Sequence, residues 1–415
     1  VYITYRYRFY PSKWQAEYID QKMEMARKTY NQLIHWYLQQ TTDVQNSMRR
    51  AHSSVSGSFS DDEDASIADS SNEVPIIRNV NQHLIDHFLT EDTRCSLVDR
   101  TIVLHAIKTF DRNRIATQEH QGIMRFKSID RKQSCTIYAR ELSLSIDGPK
   151  LHTTLLGTCS ITMTRKPIGR LLLATFSRAT SGKYYISLLM KKRDTQKNIR
   201  KTLSKQSIRI VGIDVGLSHY LTLSSGFHVK NPRFMDRQLK AIKRDHHRFS
   251  RAQPGSRNQR KKKRRLGVRY EHLNNQRKSF LHRLSTQLIK DYDVICIETL
   301  DIEGMKRQRR RSRQISDASW GQFIEMLTYK AKWNGKVIMK VPHHLPSSKQ
   351  CCRCRYIKRD LTLSDRHWRC PQCQTEHDRD TNAAINVLIA GTKQLLRTYP
   401  STDPKALKPA LSDQR

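Results

Sequence analysis

Three carboxylates stand where a hydrolytic site would need them. Asp214 ends the apolar run Ile-Val-Gly-Ile-Asp-Val-Gly, Glu298 ends Val-Ile-Cys-Ile-Glu-Thr, and Asp380 opens the helical stretch Asp-Thr-Asn-Ala-Ala-Ile-Asn-Val-Leu. A carboxylate at the tip of a buried strand is costly unless something positive meets it. Three of them converging repel one another until divalent cations bind. Oxygen ligands suit Mg²⁺ or Mn²⁺, which take few protein carboxylates and complete their shell with phosphate oxygens. Two such ions ~3.5–4 Å apart activate a water and steady the leaving oxygen in an in-line phosphodiester hydrolysis. A single Asp at a strand end is more often a turn or cap residue; the order and contexts of all three carry the reading. Asp378 competes with Asp380 for the third place. Asp380 immediately precedes the helix, so Asp378 is read as a neighbour or a cap.

A second ligand set is separate from the first. Cys351 and Cys354 form one C-x₂-C knuckle, and after fifteen residues Cys370 and Cys373 form another. Thiolates at i and i+3 of a tight turn reach one tetrahedral ion, and two knuckles fill it. This is the spacing of a structural Cys₄ Zn²⁺ ribbon. Cys352 falls outside that pairing, and His367 and His377 are not needed as ligands. Cys95, Cys135, Cys159 and Cys296 are scattered and read as ordinary core or surface cysteines.

The elements that must position these groups alternate in period. Val1–Tyr10 alternates apolar with polar and reads as a strand ended by Pro11, and a helix follows from Lys13 to Gln40. Residues 52–73, Ser-rich and carrying Asp61, Asp62, Glu63 and Asp64, read as a flexible acidic insertion outside the core. Helix resumes over 79–115. Short strands are expected at Cys135–Arg140, Glu141–Ile146, Gly157–Thr164, Leu171–Ser177 and Tyr184–Met190. They describe a small β-barrel that the N-terminal strand would complete. From residue 206 the order is strand Ile208–Asp214, hairpin strand Tyr220–Ser224, a long basic helix over 235–290, strand Asp293–Glu298, helix Ser316–Asn334 and strand Lys336–Val341. Strands mixed with helices predict an α/β sheet.

Across 415 residues, 76 Lys and Arg face 38 acidic residues, a net charge of +38. An excess of that size is neutralised by a polyanion, and nucleic acid is the usual one. No apolar run approaches the ~20 residues that cross a bilayer, and no signal peptide is read at the start. Five of the nine cysteines crowd into 351–373, which favours metal ligation in a reducing compartment, so the expected location is cytoplasmic. Two basic tracts lie between the first and third carboxylates. One runs Arg260, Lys261, Lys262, Lys263, Arg264, Arg265; the other contains Lys306, Arg307, Arg309, Arg310, Arg311 and Arg313. Either tract is a solvated charge run, a localisation signal or the lining of a phosphate-backbone channel. Arg125 and Lys127, flanking Phe126, and the aromatic N-terminus (Tyr2, Tyr5, Tyr7, Phe9, Tyr10) either contact nucleic acid by charge and stacking or serve the core.

Together these motifs resemble TnpB, the OrfB-type proteins of insertion sequences, related to the compact type V CRISPR effector nucleases. The matching text is Gly212-Ile-Asp-Val-Gly-Leu, Val294-Ile-Cys-Ile-Glu-Thr-Leu, Ile315-Ser-Asp-Ala-Ser-Trp, Pro346-Ser-Ser-Lys-Gln-Cys, Leu363-Ser-Asp-Arg and His377-Asp-Arg-Asp-Thr-Asn-Ala-Ala. The likeness is dense over 206–391 and looser at Tyr5–Pro11, Gly122–Lys127 and Ser181-Gly-Lys-Tyr-Tyr-Ile-Ser. It implies an α/β multidomain protein with an RNase H-like RuvC nuclease domain, an inserted Cys₄ zinc ribbon, a helical REC domain and a β-barrel WED domain. Mapped on this chain, 1–11 gives the first WED strand, 12–130 REC, 131–200 WED, 201–350 RuvC, 351–376 the ribbon, 377–391 the final RuvC helix and 392–415 a tail. The resemblance implies catalytic roles for Asp214, Glu298 and Asp380 and zinc ligation by the four cysteines. It also implies a guide RNA made from a transposon end, recognition of a short motif beside the target, and cleavage of double-stranded DNA. Arg355 departs from the family, which usually has Gly after the first knuckle. An RNA-guided repressor without cleavage and a DNA strand-transferase are the alternatives; a CRISPR effector is a near neighbour.

Overall fold

The computed structural model describes residues 2–55, 97–119, 122–129, 131–192, 197–307, 311–362 and 364–411. The chain divides into two compact units, Tyr2–Lys192 and Arg193–Arg415. No helix among the described residues is long and apolar enough to cross a membrane.

In the first unit, β1 (Tyr2–Tyr10) turns Ile3, Tyr5, Tyr7 and Phe9 inward, and Phe9 meets Phe176 edge-on at 5.7 Å. Those aromatics are core. Tyr2 and Tyr10 remain exposed, so the stacking alternative survives only for them. Two helices follow, α1 (Lys13–Val55) and α2 (Leu97–Glu119), joined through Tyr30, Leu33, Ile34, Val103, Ile107 and Phe110. α1 runs past the expected stop at Gln40, through the first residues of the expected insertion; 56–73 lie outside the described residues, as do 79–96 of the expected second helix.

The strands β2 (Gln133–Tyr138), β3 (Ser145–Asp147), β4 (Lys150–Thr153), β5 (Gly157–Thr162), β6 (Arg170–Arg178) and β7 (Tyr184–Lys191) form one antiparallel sheet with β1, ordered β2-β6-β7-β1-β5-β4-β3. The N-terminal strand therefore does complete the sheet, between β7 and β5. The edge strands β2 and β3 do not pair with each other, so among the described residues the hydrogen bonding is that of an open sheet. The expected strand Glu141–Ile146 is interrupted, because Ala139–Glu141 is a 3₁₀ turn and Ser143 sits at φ 38°. A hairpin of β3 and β4 takes its place, turning at Gly148 with φ 52°.

The second unit opens with α3 (Lys197–Leu203). It then builds a sheet from β8 (Ile208–Val215), β9 (His219–Leu223), β10 (His228–Lys230), β11 (Val294–Glu298) and β12 (Val337–Val341), ordered β10-β9-β8-β11-β12. β8, β11 and β12 are parallel, whereas β9 and β10 return antiparallel. The long basic helix is two helices, α4 (Phe234–Ser250) and α5 (Arg257–Asp291), because Gly255 turns at φ 76° and Ser256 caps the second by accepting from the Gln259 N–H. After the short α6 (Ile302–Arg307), the next expected helix also divides, into α7 (Ser312–Ala318) and α8 (Trp320–Asn334), at Ser319 with φ 54°.

A parallel sheet must be covered on both faces. On one face Val211, Ile213, Ile295 and Ile297 pack against Leu281, Leu288, Phe323 and Leu327 of α5 and α8. On the other, Ile208, Ile210, Val294 and Cys296 pack against Val387, Leu388 and Leu395 of α9 (Arg379–Thr398). Helix α9 lies very close. A Cβ at Gly212 would stand 2.1 Å from the Ala384 carbonyl oxygen, and one at Gly391 2.3 Å from the Cys296 sulfur. α9 outruns the expected end at 391. The tail beyond it supplies β15 (Leu407–Pro409), which pairs parallel to the start of β8, where Ala410 N–H donates to the Ile210 carbonyl. The ribbon hairpin is β13 (His367–Arg369) with β14 (Glu376–Asp378).

Candidate active site and cysteine centre

Strand parity places the carboxylates. Side chains alternate along a strand, so Asp214 follows Ile208, Ile210 and Gly212 onto the α9 face, and Glu298 follows Val294 and Cys296 onto the same face. The register Cys296↔Gly212 and Ile297↔Ile213 sets Glu298 and Asp214 side by side at the carboxyl ends of adjacent parallel strands. The close contact of α9 on Gly212 brings its first turn, carrying Asp380, to those same strand ends. The glycines act here through distance. Only a bare backbone at 212 and 391 lets α9 descend far enough.

The electrostatics express that convergence. Burial first, then Asp380 and Glu298, push the Asp214 carboxyl well above the ordinary carboxylate range, and Arg379 opposes the rise. Burial raises Glu298 to about 7. Asp380 has a cationic neighbour, its Oδ1 lying 3.3 Å from an Arg366 guanidinium nitrogen; His219 Nδ1 lies 3.8 Å from Oδ2. Asp378 is the cap, its Oδ1 accepting from the Thr381 N–H at 2.8 Å. Asp378 thus takes the capping position, while Asp380 adds its charge to the field at Asp214. Among the described residues only the four cysteines bring three or more metal-ligating atoms within 4.8 Å of one another; the three carboxylates stand wider. An all-oxygen donor set in which burial suppresses two ionisations, with repulsion from neighbouring acids adding to that of Asp214, fits hard divalent cations, which would restore both charges.

Cys351, Cys354, Cys370 and Cys373 converge. Cys351 and Cys373 sulfurs are 3.6 Å apart, and Cys354 and Cys370 3.5 Å, close to the ~3.8 Å edge of a tetrahedron with 2.3 Å metal–sulfur bonds. Both knuckles share one backbone pattern. Cys351 N–H donates to Tyr356 O and Cys370 N–H to Thr375 O, and the residues after the knuckles, Arg355 and Gln374, both adopt positive φ, 69° and 57°. The Arg355 departure therefore falls on a position that favours glycine. Thr375 holds the Cys373 thiol down to about 6. His377, buried beside Trp368, sets Nε2 3.1 Å from the Cys351 sulfur and so supports the cluster from outside it. Cys135, Cys159 and Cys296 are buried; Cys95 lies outside the described residues.

Two residues that sequence reading missed join the centres. Asn382 and Asn386, one turn apart on α9, each donate to the carbonyls of Ser347 and Gln350, and Cys352 N–H donates back to Asn382 Oδ1 at 3.0 Å. The first knuckle is thereby tied to the helix that carries Asp380. Their i, i+4 spacing beside two alanines was the available signal.

The basic residues divide. Arg265 and Arg269 flank buried Asp245 at 3.5 and 2.7 Å, Lys306 pairs with Glu303, and Arg313 lies 3.7 Å from Asp236. Arg260, Lys261, Arg307 and Arg311 are exposed, whereas Arg309 and Arg310 lie outside the described residues. In the first unit Arg125 is exposed and Lys127 sets its ammonium 3.7 Å from the Tyr30 ring centroid.

A family model described as a probable transposase matches residues 185–309, a Cas12f1-like TNB domain matches 320–387, and a helix-turn-helix domain matches 1–40. In this structure 1–40 hold β1 and the first part of α1. A putative RNA-guided DNA endonuclease of Streptomyces pristinaespiralis is 35% identical over 217 residues, 52% of each chain. A putative RNA-guided DNA endonuclease of Escherichia coli K12, InsQ, is 27% identical over 61% of this chain and 65% of its own. The chain thus spans about half the length of the first of these relatives and under two thirds of the second. Among solved structures, the Cas12f1 chain of a complex with sgRNA and target DNA has the same fold at TM-score 0.51 and 15% identity, covering 91% of this chain and 83% of that one.

Proposed function

Because the chain belongs to the TnpB family of OrfB-type proteins, we propose that it is an RNA-guided, divalent-metal-dependent DNA endonuclease of a transposable element. The observation that carries the reading is the trio itself. Asp214 and Glu298 stand abreast on one sheet face, with Asp380 brought to them by α9.

In this reading Arg193–Arg415 holds a RuvC nuclease domain of RNase H-like fold with an inserted zinc ribbon, and Tyr2–Lys192 holds the REC helices and the WED sheet. Asp214, Glu298 and Asp380 hold Mg²⁺ or Mn²⁺, which when bound supplies an activated water and neutralises the leaving oxygen. The chain's own contribution is positional. The strand tips fix two carboxylates rigidly, Asp378 caps the helix that fixes the third, and burial makes the first two hold their protons more tightly than exposed acids, a cost that a bound cation would offset. Cys351, Cys354, Cys370 and Cys373 hold Zn²⁺ as a structural ion. Guide RNA and double-stranded target DNA are the partners. Pairing reads the sequence and the protein's excess charge holds the backbones, in the cytoplasm.

The test uses protein purified with the RNA that accompanies it, a labelled target matching that RNA, and Mg²⁺. Wild type should cut the target, and Asp214→Ala should bind it without cutting. Cutting by Asp214→Ala at the wild-type rate would refute the site. The match to a transposase model keeps one second reading, strand transfer. Joined products formed without a guide in the same reaction would favour it.

A further inference from the structure

A small polar cavity of about 200 Å³ lies one side chain away from Asp380, lined among others by Ser218, Asn231, Arg233, Asp236, Arg311 and Asp317, with Arg366 closing one wall. Its charge balance is lopsided. Asp317 is engaged by Arg277 at 2.6 Å and by the Met235 N–H at 2.9 Å, and Asp236 has Arg313 at 3.7 Å. Both acids thus have guanidinium partners beyond the cavity lining, and Arg366 shares its charge with Asp380, so Arg233 and Arg311 are the two further cations. Arg233 is held there by its backbone, since Asn231 Oδ1 accepts its N–H while Asn231 Nδ2 donates to Leu217 O; the residue sits at φ 45°. An arginine kept in a left-handed conformation at a helix start marks a constrained position.

The link to the chemistry is one side chain wide. The Arg366 guanidinium donates to Ser218 Oγ in the cavity wall at 2.9 Å and, through its other terminal nitrogen, reaches Asp380 Oδ1 at 3.3 Å. A polyanionic strand laid across the carboxylates therefore meets this cavity next. Arginine's planar fork suits the paired oxygens of a phosphodiester.

We propose that this cavity seats a backbone phosphodiester of the cut strand immediately beside the scissile one, gripped by Arg233 and Arg311. The proposal rests on the nuclease reading of the carboxylates and adds the substrate subsite. Such a contact fixes strand register without reading sequence.

Two measurements test it. In the first, the guided complex cuts targets carrying a single uncharged methylphosphonate linkage, moved one position at a time from the scissile bond. In wild type the linkage in the cavity should slow cutting by roughly tenfold or more, the effect of losing a charge-assisted contact. In Arg233→Ala/Arg311→Ala that linkage should add no further loss, whereas its neighbours keep their wild-type effects. Equal sensitivity of variant and wild type at every position would overturn the proposal. The second measurement needs no cleavage. Full-length Asp214→Ala is treated with an arginine-selective dicarbonyl, with and without a single-stranded oligonucleotide, and modification is mapped by mass spectrometry. Arg233 and Arg311 should be protected by the phosphodiester strand and not by its fully methylphosphonate counterpart. Unchanged labelling would overturn the subsite. Protection in a protein whose wild type does not cut would instead retain the subsite and refute the nuclease reading.

Discussion

In the absence of divalent metal at pH 8, Glu298→Gln should be more stable than wild type. Burial lifts this carboxyl from 4.5 to about 7, a gap of about 2.5 pH units. At 1.36 kcal/mol per unit the ceiling is ~3.4 kcal/mol, and the solvent still reaching the half-buried side chain reduces this to about 2 kcal/mol. A raised carboxyl binds its proton more tightly in the folded state, so stability falls as pH rises from the unfolded value toward 7 and is fully lost above it. Gln keeps the shape and never ionises. The advantage of the variant should therefore be about 2 kcal/mol at pH 8 and about a quarter of that at pH 5. Urea denaturation in EDTA at the two pH values, followed by tryptophan emission, measures it. Adding Mg²⁺ should stabilise wild type more than the variant, since the cation binds the ionised site. Equal stabilities at pH 8, or a variant that is weaker there and stronger at pH 5, would refute the account of Glu298 as a carboxylate whose ionisation is penalised by burial until metal arrives.

Other consequences follow from the packing. Gly212→Ala must push α9 off β8, because its Cβ would stand 2.1 Å from Ala384 O and 2.7 Å from Leu388 N; a loss of ~3 kcal/mol or more should appear as insoluble protein or a lowered Tm. Arg355→Gly should stabilise the ribbon by ~0.5–1 kcal/mol by relieving the residue's φ of 69°, read as slower zinc loss to a chelator. Asn386→Ala removes the bonds to Ser347 O and Gln350 O and should cost ~1–3 kcal/mol, with metal content unchanged by elemental analysis. Removing metal from the four cysteines should change the emission of Trp368, which packs in their cluster and lies 4.6 Å from the His377 ring.

The boundaries that the sequence misjudged share a cause. Periodicity joins helices of similar face, so 235–290 and 316–334 each read as one. The breaks depend on a backbone dihedral at Gly255 and Ser319 that no hydrophobic pattern carries. The tail was assigned no element because Leu407–Pro409 is short and becomes a strand only by pairing with β8.

By itself the sequence determined what is local. Thiols three apart on two turns, apolar strands ending in acids, a helix opened by an acid and a large positive charge are written in neighbouring residues, and the family resemblance rests on those words. The tertiary structure decided what is relational. That Asp214 and Glu298 share a face follows from strand register, which couples residues over eighty positions apart. Asp378 and Asp380 take different roles because only the folded helix shows which one bonds the Thr381 N–H. Arg366, Asn382 and Asn386 gained their partners the same way, since a side chain's partner is fixed by where the fold brings distant backbone and not by the letters beside it.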